Sequence, residues 1–490
     1  MLSVSLRDIK ISLYDLGGIC RVVSLIFLVP LALTLYYALV SGGLSVNSLL
    51  AFVAPAVILY LLFVIFSRVD IEDSPSKTKH AMITTSLAWL IIALVGSLPF
   101  IISGTLAPLD AFFESMSGWT TTGMTMIEQP ELVARDILFY RAMTQWVGGI
   151  GIIVLVLVVL MRKGTVARDY YSSEVGEQKI RPRIKSTIKE TWKIYSIYTL
   201  ACISLLYLAG MPFFDAIVQS FSALSTGGFT THASSIAYYN SPLIEFILMA
   251  FMIIGAVGFL IHFRLFNGQI KALFKNIEFR YMMGLLAIST VIIMASFWMN
   301  FHGTVVNASR VSLFQAVAAM TCTGFSTIDL GNWPDLPIAI LAMLMYIGGM
   351  YGSTAGGIKI LRFILILSVV KYNLKKLILP KSAVVNIKLG GKPMEGEEVF
   401  FVLGLSFAYM FVAIVGTFAM MFLGYSGMQS LFLTLSAMGN VGLVNVSSAS
   451  WFMMNSLGKL ALIALMWIGR LEIFPVLTIF SSIIFRKKKG

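Results

Sequence analysis

Apolar stretches long enough to cross a bilayer alternate with short polar or basic segments along the 490-residue chain. At about 20 apolar residues per crossing, residues 22–41 and 48–66 read as a first membrane hairpin, with a polar loop at 68–80 behind it. Beyond that loop one unit recurs four times. A helix leads away from a basic segment, a half-length apolar helix follows, a small polar tract ends it, and a second long helix leads back. The outgoing helices are expected at about 81–102, 192–209, 281–301 and 399–423, and the returning ones at about 137–161, 243–263, 338–370 and 453–485. The chain thus divides into an N-terminal hairpin with its loop (1–80) and four repeats (81–190, 191–280, 281–397 and 398–490). The fold class is an all-α polytopic membrane protein with four helix–pore-loop–helix repeats around one central pore.

The four tracts are Thr120-Thr121-Thr122-Gly123, Ser225-Thr226-Gly227-Gly228, Thr321-Cys322-Thr323-Gly324 and Gly439-Asn440-Val441-Gly442. Each is followed by a large apolar residue: Met124, Phe229, Phe325 or Leu443. Phe113 precedes Gly123 by ten residues, as Val218 precedes Gly228, Phe314 precedes Gly324 and Phe432 precedes Gly442. Helix-connecting turns would account for one or two such tracts, but not for the same spacing in all four. Non-helical backbone at membrane depth survives only where protein buries it or water bathes it. Four tracts therefore point to a ring of carbonyl oxygens around one axis, the construction of a cation filter. Each glycine supplies backbone angles that a Cβ would penalise, and the large residue after it anchors the tract in the core. Hydroxyls of Thr120 to Thr122, Thr321 and Thr323 are expected at the mouth. The half-length helices aim the negative ends of their dipoles at the ion. Their starts are expected at Pro108 with Asp110, Pro212 with Asp215, Ser309 or Ser312, and Ser426, as N-terminal caps. With no charge in the tracts, a carboxylate ring for divalent ions is excluded and potassium is favoured. Glu128, Glu131, Asp136, Asp329 and Asp335 either concentrate cations at the entrance or are ordinary loop residues.

Composition agrees with this class. Hydrophobic residues are 58% of the chain and charged ones 12%, about half the charge of a soluble domain. The net charge of +13 is concentrated: 31 of 36 Lys and Arg fall on the side that alternation assigns to the N-terminus, the basic loops and the tail. The positive-inside rule makes that side, with both termini, cytoplasmic. A surface facing solvent or anionic lipid explains these loops, as does docking of an acidic partner; nucleic acid is not implied. Cys20, Cys202 and Cys322 are scattered and imply neither a disulfide framework nor a metal cluster. The first apolar run has no cleavage-site pattern and reads as a permanent span.

Within the third returning helix, residues 348–357 include Gly348, Gly349, Gly352, Gly356 and Gly357, with Ser353 and Thr354 between them. At about 1 kcal/mol per interior glycine relative to alanine, the helix is expected to unwind there. A mobile gating loop below the filter is one reading, and tight helix packing is the other, since Gly148, Gly255 and Gly469 recur at comparable offsets. Arg470 lies deep within a span, where a charge costs at least about 2.5 kcal/mol. It acts either as a positive barrier linked to the gate or in a structural ion pair, for instance with Glu472. An enzyme is not expected. The Gly424-Tyr425-Ser426-Gly427 stretch lacks a partner base, because His80, His232, His262 and His302 lie at span ends or in loops. A proton- or sodium-coupled carrier is the rival class. Such coupling needs a titratable group near the midplane, for which Glu114 and Glu472 are the candidates.

The tracts, the glycine-rich segment from Gly348 to Lys359 and the segment Gly469-Arg470-Leu471-Glu472-Ile473-Phe474-Pro475 together resemble the TrkH branch of the Trk/Ktr/HKT superfamily of potassium transporters. The resemblance covers essentially the whole chain. It implies potassium sites at Gly123, Gly228, Gly324 and Gly442, and Gly123 (rather than serine) favours potassium over sodium. It further implies a prokaryotic inner-membrane homodimer with a pore in each subunit, regulated by a cytosolic TrkA-type nucleotide-binding ring docked on the basic loops. No dinucleotide fingerprint lies in the chain itself, so no nucleotide is expected to bind it.

Overall fold

A chain inside a bilayer must satisfy its own backbone, and a helix does so within one segment. The computed structural model describes residues 6–41, 43, 45–70, 78–160, 184–301, 304–380, 386–390 and 392–484. Among the basic positions, Lys77, those from Arg162 to Arg183, Lys381 and the tail Arg486 to Lys489 lie outside these residues. The first limb of the hairpin begins earlier than its apolar run, as Leu6–Ile26 followed by Leu28–Ser41, and the second limb is Val46–Ser67. The early turns carry polar residues that the protein itself buries. Asp8 accepts from Lys79 Nζ at 2.7 Å and lies 2.7 Å from His80 Nε2.

Four units follow the hairpin. The first runs Thr78–Val95 and Leu98–Ile102, then Pro108–Trp119, then Arg135–Leu160. The second is Ile184–Leu208, Phe213–Leu224, then Pro242–Ala256 with Phe259–Phe266. The third is Ile277–Phe301, Val305–Met320, then Asp335–Ile347 with Ile360–Ile378. The fourth is Gly396–Phe422, Gly427–Met438, then Ser456–Arg470 with Phe474–Ile484. Between the third and fourth units Lys388–Leu389 pairs antiparallel with Lys392–Pro393. Five described helices or helix pairs are long and apolar enough to cross a membrane: Arg7–Val40, Val46–Ser67, Lys79–Ile102, Ile277–Met299 and Gly396–Phe422. The chain is a multi-pass membrane protein.

Continuous returning helices are found in fewer units than expected. The third breaks as its glycines predict, between Ile347 and Ile360. The second also breaks, with a 107° bend between Pro242–Ala256 and Phe259–Phe266. The fourth breaks after Arg470, where Glu472 (φ 52°) and Ile473 (φ 70°) take left-handed angles. Three of the four half-length helices start where expected, at Pro108, after Pro212 and after Ser426, but the caps and the third start need correction. Ser426 caps the fourth half-length helix in a reciprocal arrangement with Gln429. The third, however, starts at Val305 under a cap from Thr304, so Ser309 and Ser312 lie inside the helix. Asp110 and Asp215 do not cap: the cap positions are Ala107 and Pro212. Asp110 instead pairs with Lys459, and Asp215 accepts from the Tyr239 hydroxyl at 2.9 Å.

Candidate functional site

The half-length helices end alike because their last turns are closed alike. Thr121, Thr226, Cys322 and Asn440, the first residues beyond the helical turns, have φ of 56°, 53°, 57° and 52°. The amide of the next residue in each tract (Thr122, Gly227, Thr323, Val441) reaches back five residues, to Ser117, Ser222, Ala318 and Ser436 carbonyls at 2.8–2.9 Å. This is the Schellman closure, usually made by glycine. Here non-glycine residues hold the strained angle in all four units. The chain then passes through Gly123 (φ 85°), Gly228 (81°), Gly324 (76°) and Gly442 (96°).

These glycines meet one another around a closed circuit. A Cβ on Gly123 would fall on the carbonyl oxygen of Gly227, one on Gly228 on that of Thr323, one on Gly324 on that of Val441, and one on Gly442 on that of Thr122. Each approach is inside the 3.0 Å that real Cβ atoms keep. The fourth tract, despite its different residues, closes the circuit like the others. Phe113, Val218, Phe314 and Phe432 are buried behind it, as are Met124, Phe229, Phe325 and Leu443. Those eight positions account for the ten-residue spacing in physical terms.

Side chains brace the ring from outside. Thr120 and Thr122 hydroxyls lie 2.8 Å apart, and Thr120 donates to the Met116 carbonyl at 2.7 Å. Thr321, Thr323 and Val317 repeat this arrangement at 2.8 and 2.7 Å. These hydroxyls are therefore engaged with one another and with the last turns of the half-length helices. Asn440 Nδ2 donates to Thr122 Oγ1 at 2.9 Å, tying the fourth tract to the first. Gln145 Nε2 donates to the Gly227 carbonyl at 2.6 Å, and its Oε1 accepts from the Phe229 amide at 3.1 Å. Glu114 is fully buried and held by Arg141 at 2.5 Å, by the Met126 amide at 2.8 Å and by Thr125 Oγ1 at 3.0 Å. Arg141 in turn lies over the Phe229 ring, 3.9 Å from its centroid.

The segment between Ile347 and Ile360 folds against the ends of two of the half-length helices. Gly348, Gly352 and Gly357 have φ near 71°, 71° and 75°, and Lys359 has 76°. A Cβ on Gly356 would strike the Gly439 carbonyl, so the segment packs directly beneath the fourth tract. Beneath the second tract, Thr354 Oγ1 lies 3.0 Å from the carbonyl oxygens of Leu224 and Gly255 and accepts from Thr226 Oγ1 at 3.2 Å. Gly349 is crowded by Ala355 and Ala256, and Ser353 Oγ donates to the Met350 carbonyl at 2.6 Å. The tip is held from two further helices: the Tyr351 amide donates to Glu278 at 2.8 Å, and the Phe259 amide donates to the Gly352 carbonyl at 3.0 Å.

Arg470 is buried where these parts meet. It donates to Thr121 Oγ1 (3.0 Å), the Thr354 carbonyl (3.1 Å) and the Gly148 and Gly149 carbonyls (2.6 and 3.3 Å). A structural pair with Glu472 is not formed. Glu472 takes Arg362 at 2.5 Å instead, from the helix beyond the glycine-rich segment. Gly148 packs on Trp119, Gly255 on Leu224 and Gly469 on Met438. Those three glycines serve close helix contact, whereas Gly348 packs on Gly356 within the non-helical third segment. The sequence reading missed Gln145 and Glu278. The former was visible as a lone amide in an apolar run, but the latter carried no signal, since it opens a helix like any first-turn acid.

Comparison with known proteins identifies the family. Residues 51–487 match the family model described as TrkH, cation transport protein. A cation transporter of Methanocaldococcus jannaschii, described as uncharacterised, is 35% identical over 98% of this chain and 97% of that protein. The Trk system potassium uptake protein TrkH of Escherichia coli K12 is 36% identical over 85% of this chain and 88% of its own length. The crystal structure of the potassium transporter TrkH from Vibrio parahaemolyticus superposes with a TM-score of 0.85 at 30% identity, covering 98% of this chain and all of that one.

Proposed function

The chain belongs to the TrkH family of cation transport proteins, and from that premise we propose that it takes up potassium through a channel-like pore. The observation that carries this reading is the closed circuit of four tracts, each glycine packed on the carbonyl of the next. Potassium must exchange its hydration shell for oxygen ligands of similar strength, and a ring of neutral carbonyls supplies them. The residues assigned to the filter are Thr120 to Gly123, Ser225 to Gly228, Thr321 to Gly324 and Gly439 to Gly442. Four helix C-termini converge on the ring and add a potential that favours a cation.

The segment from Gly348 to Gly357 is assigned as the gate, with Arg470 as its latch and as a positive barrier below the filter. Support comes from its position beneath two tracts and from its bond to Arg470 through the Thr354 carbonyl. The Escherichia coli relative is named as a Trk system protein, and a cytosolic TrkA-type regulator acting through the basic loops fits that description. A homodimer in the inner membrane, with both termini cytoplasmic, completes the proposal. A coupled carrier would need a free titratable group near the ring, whereas Glu114 is committed to Arg141 and two further donors.

The deciding experiment is potassium uptake into proteoliposomes at fixed voltage, with rubidium and sodium as competitors and no sodium or proton gradient. Uptake with single-channel openings under those conditions supports the pore. Uptake that appears only with a sodium or proton gradient, without openings, refutes it in favour of a symporter.

A further inference from the structure

Three of the four tracts place a β-branched residue immediately before the filter glycine: Thr122, Thr323 and Val441. The second has Gly227 there. Its backbone does not require glycine, since φ at Gly227 is not positive. What excludes a side chain is Gln145. A Cβ on Gly227 would lie 2.5 Å from Gln145 Cδ and Oε1 and 2.9 Å from its Cβ. The buried amide of the first returning helix thus occupies the volume that a residue of the second tract would fill.

That amide also bonds on both sides of Gly228, donating to the Gly227 carbonyl at 2.6 Å and accepting from the Phe229 amide at 3.1 Å. Two consecutive glycines make this the most pliable of the four tracts, and the bracket removes the pliability. The register of the returning helices isolates the substitution. Gln145 stands three residues before Gly148, while Met252, Met345 and Met466 stand three before Gly255, Gly348 and Gly469. All four are fully buried. The polar member sits against the tract that lacks a side chain.

Building on the filter proposed above, we infer that Gln145 is a specificity-determining residue: a surrogate side chain for the second tract that fixes the Gly227 carbonyl. That carbonyl is one of the four on which the ring glycines pack, so its freedom to tilt sets how closely the ring fits a smaller cation. Gln145 discriminates among monovalent ions by position and touches none of them.

The test uses the full chain in planar bilayers or proteoliposomes, reading the potassium-to-sodium permeability ratio. Gln145→Met installs the residue of the other three units, keeping volume and helix propensity while deleting both bonds. The ratio is expected to fall by roughly tenfold, the effect of unmaking the one buried hydrogen bond to the Gly227 carbonyl, with total flux retained. Gly227→Thr alone clashes with Gln145 and loses selectivity. Gln145→Ala combined with Gly227→Thr makes the second tract resemble the others and is expected to recover the ratio. Thermal melting and gel filtration confirm that each variant is folded, and the paired variants carry the test if Gln145→Met does not fold. A wild-type ratio in folded Gln145→Met, or a double variant no better than Gly227→Thr, overturns the inference. Wild-type protein without potassium selectivity would instead refute the filter itself.

Discussion

Replacing Arg470 by alanine should open the pore, and the structure bounds the size of the effect. Three of its four acceptors, Thr121 and the carbonyls of Gly148 and Gly149, belong to the filter and the first returning helix. On the gate proposed above they stay in place while the glycine-rich segment moves, so they drop out of the difference between closed and open states. Only the bond to the Thr354 carbonyl, 3.1 Å long, joins Arg470 to the moving part. A hydrogen bond from a charged donor contributes about 1.5–3 kcal/mol. At 1.4 kcal/mol per tenfold, its loss raises the open-to-closed ratio by roughly 10- to 150-fold. Removing a buried positive charge below the filter lowers the barrier to cations in the same direction. Open probability from single-channel records, together with rubidium uptake, measures the two parts separately. Arg470→Lys keeps the charge but loses the planar fork, and should restore the barrier without restoring closure. A folded Arg470→Ala protein with wild-type selectivity and unchanged open probability would refute the latch.

Three further outcomes follow from other contacts. Gly324→Ala puts a methyl on the Val441 carbonyl at a backbone angle of 76°, and uptake should drop to background while helical content by circular dichroism is unchanged. Glu278→Ala frees the Tyr351 amide at the loop tip, and resting rubidium leak should rise by about fivefold or more, one hydrogen bond's equivalent. Arg141→Met strands the fully buried Glu114 carboxylate and should destabilise the protein by about 3–5 kcal/mol; adding Glu114→Leu should recover most of it in a thermal melt.

The ring was legible in the sequence because its construction repeats. Buried residues such as Phe113 and Phe432, ten positions ahead of glycine, report the length of the half-helix and the turn that ends it. The third break was legible for a different reason, since five glycines in ten residues cannot hold a regular helix against the loop alternative. The fourth break had a local signature in Pro475, which cannot continue the preceding helix and stands in the first turn of the next, but its backbone angles had none. Ile473 at φ 70° is a β-branched residue in a region it avoids, held there by its surroundings, including the Glu472–Arg362 contact with a distant helix. The misassigned caps fail by position: Asp110 and Asp215 stand in the first helical turn, three residues past the cap positions Ala107 and Pro212, and their oxygens go to Lys459 and Tyr239, remote in sequence. Gln145 shows the general limit. Its meaning depends on Gly227, 82 residues away, and no pattern within one helix encodes that neighbour.

The seam between the last and first tracts bears on how the protein is made. Gly442 seats on Thr122, Trp451 Nε1 donates to the Thr125 carbonyl at 2.8 Å, and Arg470 reaches Thr121 at 3.0 Å. Translation delivers these partners at opposite ends of the polypeptide. On the pore proposed above, a nascent chain holds three of the four tracts until nearly its final segment emerges, and its first tract lacks the neighbour that seats on it. Premature stop codons ahead of Gly442 therefore leave the circuit of tracts open on one side.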